Sequence, residues 1–89
     1  LLNSPFALAQ ASAFADRILA EKGLDEAGRI ERAYLLSLAR KPSAAEQSSV
    51  KKFLASWPAK DGETSEAQER AAWAALTQAL LALPEFRYL

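Results

Sequence analysis

The placement of helix-breaking residues constrains this chain more than any other feature. Only three Gly and four Pro occur in 89 residues, and nearly all of them fall where a helix should start or stop. Pro5 follows Ser4, Gly23 precedes Leu24, Pro42 precedes Ser43, Pro58 opens a polar stretch that holds Gly62, and Pro84 follows Leu83. Between these breaks apolar residues recur at three- and four-residue intervals, and no segment shows the period-two alternation of a half-buried strand. The expected fold is all-α: a compact bundle of four helices, mostly antiparallel neighbours because the first two links are short, with an aromatic C-terminal tail.

The first helix should open with Ser4 as N-cap and Pro5 at the first helical position, where a missing N–H costs nothing. It should run to Lys22, with Gly23 at the left-handed position beyond the end and Leu24 touching Leu19. Ala7, Ala11, Phe14 and Ile18 form its apolar face, widened by Leu8, Ala15 and Leu19. The second should start after Asp25 and end near Arg40, since Pro42 disfavours helix at the residue before it. Ile30, Ala33, Tyr34, Ser37 and Leu38 share one face, and Leu35 and Leu36 extend it, which predicts that this helix is the most buried.

The third helix has the clearest start, because Ser43-Ala44-Ala45-Glu46 spells a capping box. Val50, Phe53, Leu54 and Trp57 then carry the apolar spacing until Pro58. The fourth follows from Ser65 with Gln68 at its N3 position, and Trp73, Leu76, Leu80 and Leu83 line one face beside Ala72 and Ala79. Pro84 should end it, leaving residues 85–89 as a tail.

Composition narrows the chemistry. Eleven basic residues balance eleven acidic ones, and His, Cys and Met are absent. No disulfide, thiolate nucleophile, Cys-based zinc site or imidazole ligand is available. The usual axial ligands of haem and the Cys-x-x-Cys-His attachment motif are missing too, so no cofactor and no metal are expected in this chain. Zero net charge argues against nucleic acid, whose binders carry a basic excess. No apolar run approaches the ~20 residues of a membrane span. Twenty of the apolar residues are Ala, which favours helices and their close approach.

No catalytic set emerges from the remaining polar residues. Glu66 with Glu69, and Asp61 with Glu63, read as solvated pairs, since nothing nearby would split their pKa values. Arg29, Glu31 and Arg32 suggest a surface network of small energetic weight. Trp57 and Trp73 can stack on sugars or bases, but both sit on apolar faces and read first as core. Arg40 can contact a partner or an anion at the start of the third helix, or simply complement the helix dipole on a solvated turn. Phe86 and Tyr88 can form a docking strip or fold back to cap the bundle, and Leu1 and Leu2 can pack on preceding structure. The candidate partner contacts are therefore Leu1, Leu2, Arg40, Phe86 and Tyr88.

Three stretches together resemble a known family. The chain opens Leu1-Leu2-Asn3-Ser4-Pro5-Phe6. Its centre carries Arg29-Ile30-Glu31-Arg32-Ala33-Tyr34-Leu35-Leu36, then Arg40-Lys41-Pro42-Ser43 and Glu46. Its ending carries Trp73-Ala74-Ala75-Leu76-Thr77-Gln78-Ala79-Leu80-Leu81, then Glu85-Phe86 and Tyr88. In order and spacing these resemble the planctomycete-type domain of unknown function called PSD1, found at the C-terminus of large proteins with cytochrome-c-like modules. Two departures stand out: Ala39 where a Gly is common, and Ala82-Leu83 where Asn-Ser is frequent.

The resemblance implies that residues 1–89 form a single helical domain, the last part of a longer domain excised from the C-terminus of a larger protein. It implies an extracytoplasmic (periplasmic or secreted) parent with haem in upstream modules, and it assigns no catalytic residues. The expected role is a non-catalytic structural or protein-interaction module whose partner is the upstream part of the same polypeptide or another protein. Two alternatives stay open. One is the non-catalytic portion of an enzyme whose active site lies upstream, which a cleft lined by Trp57, Trp73 and Arg40 would favour. The other is a free-standing helix-binding adaptor with an apolar groove.

Overall fold

The computed structural model describes residues 4–87, and within them every regular element is helical. The elements are α1 (Pro5–Ala20), α2 (Glu26–Leu38), α3 (Ala44–Ser56), α4 (Ser65–Ala82) and a single turn, α5 (Pro84–Arg87). The expected all-α bundle is present, with one more element than the four the breaks suggested.

Each long helix starts with a side-chain oxygen taking a backbone N–H that the helix leaves unpaired. Ser4 accepts from Ala7 at 3.1 Å, Asp25 from Gly28 at 2.7 Å and Ser43 from Glu46 at 3.1 Å. At α3 the capping box closes, since Glu46 Oε1 accepts the Ser43 N–H at 2.8 Å. The cap of α4 is Thr64, which accepts from Ala67 at 3.1 Å. Gln68 therefore lies one position beyond N3, and its amide instead donates to the Trp57 carbonyl at 2.7 Å, pinning the base of the α3–α4 loop.

The helix ends differ from expectation, for local reasons. α1 stops at Ala20 with an extended Glu21, so Gly23 serves its positive φ of 84° within the link turn and not at the cap. α2 stops at Leu38, before the position Pro42 dictated, because Ala39 turns left-handed at φ 57° while its N–H donates to the Leu35 carbonyl at 3.1 Å. This is the position where the resemblance favours Gly, and the geometry explains why: a Cβ in the left-handed region costs about 1–2 kcal/mol. Ala39→Gly removes that strain but gives the unfolded chain more freedom, worth roughly 0.4–1 kcal/mol. The expected net gain is roughly 0.5–1 kcal/mol, read as a rise in the urea midpoint with an unchanged slope. A midpoint that falls would contradict the cap geometry.

The core lies around α4, which packs against each of the other four helices. Ala15 and Ile18 of α1, Ile30, Ala33, Tyr34 and Leu38 of α2, Val50 of α3, and Trp73, Leu76 and Leu80 of α4 form one buried cluster. The buried set of α2 is the expected five residues, including Ser37, whose hydroxyl donates to the Ala33 carbonyl at 2.6 Å. Leu35 and Leu36 are 37% and 39% exposed, so α2 buries one stripe. With five buried residues in 13 it is still the most buried of the long helices, as expected, whereas α4, with five in 18, is the one that touches all the others. Leu8 is also exposed, and Phe53, Leu54 and Trp57 of α3 are only half-buried.

The most extensive contact is between α1 and α4. Thr77 on α4 is completely buried, and its hydroxyl donates to the Ala11 carbonyl across the helices at 2.8 Å, with the Ala74 carbonyl of its own helix at 3.0 Å. One and a half turns further along α1, Asp16 pairs with Arg70, which lies earlier on α4, at 3.2 Å. The two helices thus run in opposite senses side by side. Ala11, Ala15 and Ala72, all buried, permit the close approach that a hydroxyl-to-backbone bond requires.

Candidate functional site

Two polar and apolar features meet where α5 folds back on the bundle. The polar one is centred on Arg40, in the link between α2 and α3. Its guanidinium donates twice to Glu46, at 2.8 and 2.9 Å, and twice to Glu85 of α5, also at 2.8 and 2.9 Å. A further bond reaches the Lys41 carbonyl at 3.2 Å. A guanidinium has five N–H groups in a planar fork, and all five are occupied within the chain. The plane also lies over the buried Tyr34 ring, 5.5 Å from its centroid, a cation–π geometry.

The electrostatics follow from that geometry. The Arg40 hydrogen bonds hold the Glu46 carboxyl down at about 2, helped by the Ser43 N–H. Glu85 is held below its ordinary value mainly by Arg40, while the neighbouring Glu46 charge opposes this. Arg40 itself is pushed further up by both carboxylates. Burial pushes the Tyr34 phenol up, with Glu46 adding to the effect and Arg40 opposing it.

Both carboxyls have folded-state pKa values below their unfolded value of about 4.5. Their contribution is therefore fully present above that value and is lost as pH falls from there toward about 2. Unfolding followed against pH should show stability dropping across this acid window. Arg40→Met should flatten the drop, because the carboxyls then lose the partner that lowered them. An equally steep acid loss in the variant would remove Arg40 as its cause.

The apolar feature is a groove of about 440 Å³ between α1, α4 and α5, lined among the described residues by Ala7, Gln10, Ala13, Phe14, Leu81 and Phe86. Beside it the chain exposes aromatic surface: Phe6, on the α1 face that carries Gln10 and Ala13, is 72% exposed, and Phe86 is 41% exposed. Residues 84–87 thus form a folded turn. It seats Glu85 on Arg40 and leaves Phe86 at the rim of the groove, only partly capping the bundle.

Of the candidate partner contacts, Arg40 and Phe86 lie in this region, on either side of Glu85. Leu1, Leu2 and Tyr88 lie outside the described residues. Arg40 is neither a lone cation on a solvated turn nor an open anion site, since its donors are all used internally. Sequence reasoning missed Glu85 as its partner, although the signal was present: Arg40, Ser43, Glu46 and Glu85 all fall within the stretches that carry the family resemblance. Their three-dimensional meeting unites the central and final motifs.

The other candidates separate. Trp73 is buried at 3% exposure, and Trp57 sits half-buried with its ring centroid 5.6 Å from that of Phe53. Neither lines the groove, and neither forms a cleft there with Arg40. Arg29, Glu31 and Arg32 do not form one network but tie separate elements: Arg29 to Glu69 at 3.6 Å, Arg32 to Glu21 at 3.2 Å and Lys41 to Glu31 at 3.8 Å. Among the described residues no three His, Cys, Asp or Glu side chains are grouped to hold a metal ion, and no helix is long and apolar enough to cross a membrane.

A family model described as PSD1, Protein of unknown function (DUF1553), matches residues 1–54. The match takes in α1, α2, the Arg40 link and most of α3, and leaves α4 and α5 beyond it. No curated protein and no solved structure matches the chain.

Proposed function

The chain belongs to the PSD1 (DUF1553) family of proteins of unknown function, and from that premise we propose that it is a non-catalytic structural and protein-interaction module of a larger, extracytoplasmic, haem-linked protein. The observation that carries this reading is the apolar groove between α1, α4 and α5, with Phe86 at its rim and the exposed Phe6 on the same face of α1 as Gln10 and Ala13. Contiguous exposed apolar surface of this kind marks an interaction site more often than chance, whereas scattered single residues do not. The occupant is the preceding part of the same polypeptide. The resemblance supports reading these residues as the end of a longer domain, and such a domain shares its core across the segments that build it.

The resemblance also supports the placement outside the cytoplasm and the association with haem. The haem belongs to other modules of the parent, because this chain does not fit it. It has no His, Cys or Met, and its described Tyr, Tyr34, is buried beneath Arg40. The module's own polar cluster is committed to holding helices together, which suits a structural role.

Hydroxyl-radical footprinting of the full-length protein tests the reading with internal standards. Phe6 and Phe86 should be protected nearly as well as Trp73. If they label as readily as the exposed Leu35 and Leu36, the groove is not a docking surface for the parent chain.

A further inference from the structure

We propose that α5 is a latch, held on the corner between α2 and α3 by the Arg40–Glu85 ion pair and forming one wall of the apolar groove with Phe86. A helix of four residues has no stability of its own, so its position is set by what it touches. It touches α4, to which it is joined, and α2. Its apolar hold is partial, because Phe86 remains 41% exposed. Its polar hold is specific: both Glu85 oxygens accept from Arg40, in the two-pronged geometry that makes an exposed ion pair effective.

The three charges are not equivalent. Glu46 is bound twice over, by Arg40 and by the Ser43 N–H of its own capping box. Glu85 has Arg40 as its partner and the Glu46 carboxylate as a repelling neighbour. When the trio loosens, Glu85 leaves and Glu46 stays. The break falls at the Leu83–Pro84 joint, where the backbone has already left helical geometry, with Leu83 extended at ψ 141°. Release carries Phe86 away from the groove that Phe14 and Leu81 also line. The latch therefore controls access to that groove, a consequence that rests on the docking role proposed above, whereas the latch itself does not.

Glu85→Gln in the 89-residue chain tests it by amide hydrogen exchange. The substitution keeps the shape of an exposed side chain and removes the charge. The Phe86 N–H, which donates to the Leu83 carbonyl at 3.1 Å, should lose protection several-fold, while the core amides of α1 and α4 keep theirs. Unchanged protection at Phe86 overturns the latch, and so does a loss spread equally over α1 and α4. Because this reads the chain alone, its failure is distinct from a failure of the footprinting experiment, which reads docking in the full-length protein.

Discussion

Trp73→Ala is expected to lower the unfolding free energy by roughly 3–5 kcal/mol, the range for removing a large aromatic from a packed core. Trp73 is 3% exposed and belongs to the one buried cluster, on the helix that every other helix touches. Its loss leaves a cavity bordered by several elements at once, which cannot all collapse inward together. A domain of this size has roughly 5–15 kcal/mol in total, so the variant sits near the edge of folding at physiological temperature. Urea unfolding monitored by circular dichroism measures the change. Trp57→Ala is the comparison: half-buried at the end of α3, it should lose distinctly less. Equal losses at the two positions would mean that α4 is not the centre of the core.

Ala15→Leu carries the second large effect, through overpacking. Ala15 is 1% exposed on the side of α1 that joins the buried cluster. Nearby, the α1 and α4 backbones approach closely enough for Thr77 to reach the Ala11 carbonyl at 2.8 Å. Three additional carbons there must push helices apart or twist side chains from their preferred rotamers, at a cost of typically about 1–3 kcal/mol. The Thr77 bond should weaken as a result, so faster amide exchange in the middle of α4 would accompany the drop in stability. Ala9→Leu, on the exposed side of the same helix, should stay within about 0.5 kcal/mol of the parent. If both substitutions behave alike, the close α1–α4 approach is wrong.

The parts of the fold legible in the sequence are those decided within one turn of helix. Ser4 and Ser43 cap residues three positions away, and Glu46 returns the bond to Ser43. The buried face of α2 follows from 3.6-residue periodicity, since a helix can turn only one side toward its neighbours. The end of α2 was less legible. Pro42 set an outer limit, but the left-handed Ala39 stopped the helix sooner, and an Ala gives no outward sign of that conformation. Leu35 and Leu36 look as apolar as Leu38 in sequence, and only the position of α4 decides which of them is covered.

The candidate site was legible in pieces. Arg40 and Phe86 stood out separately, one as an unmatched cation before Pro42 and the other in an aromatic ending. Their relation runs through Glu85, which lies 45 residues from Arg40, and no local pattern encodes a pairing at that distance. The role of Thr77 is hidden in the sequence for the same reason. A hydroxyl on a helix commonly faces water or its own carbonyls, and its bond to Ala11 exists because α1 lies against α4.

By itself, then, the sequence determined that this chain is helical, where its helices begin, which chemistries its missing His, Cys and Met exclude, and which family it resembles. These depend on capping, periodicity and residue identity, all short-range or compositional. Only the tertiary structure decided that α4 touches every other helix, that Pro84–Arg87 form a turn seated on Arg40, and that an apolar groove lies beside it. Those outcomes depend on which surfaces meet, and the meeting is governed by the burial of the whole core and not by any one segment.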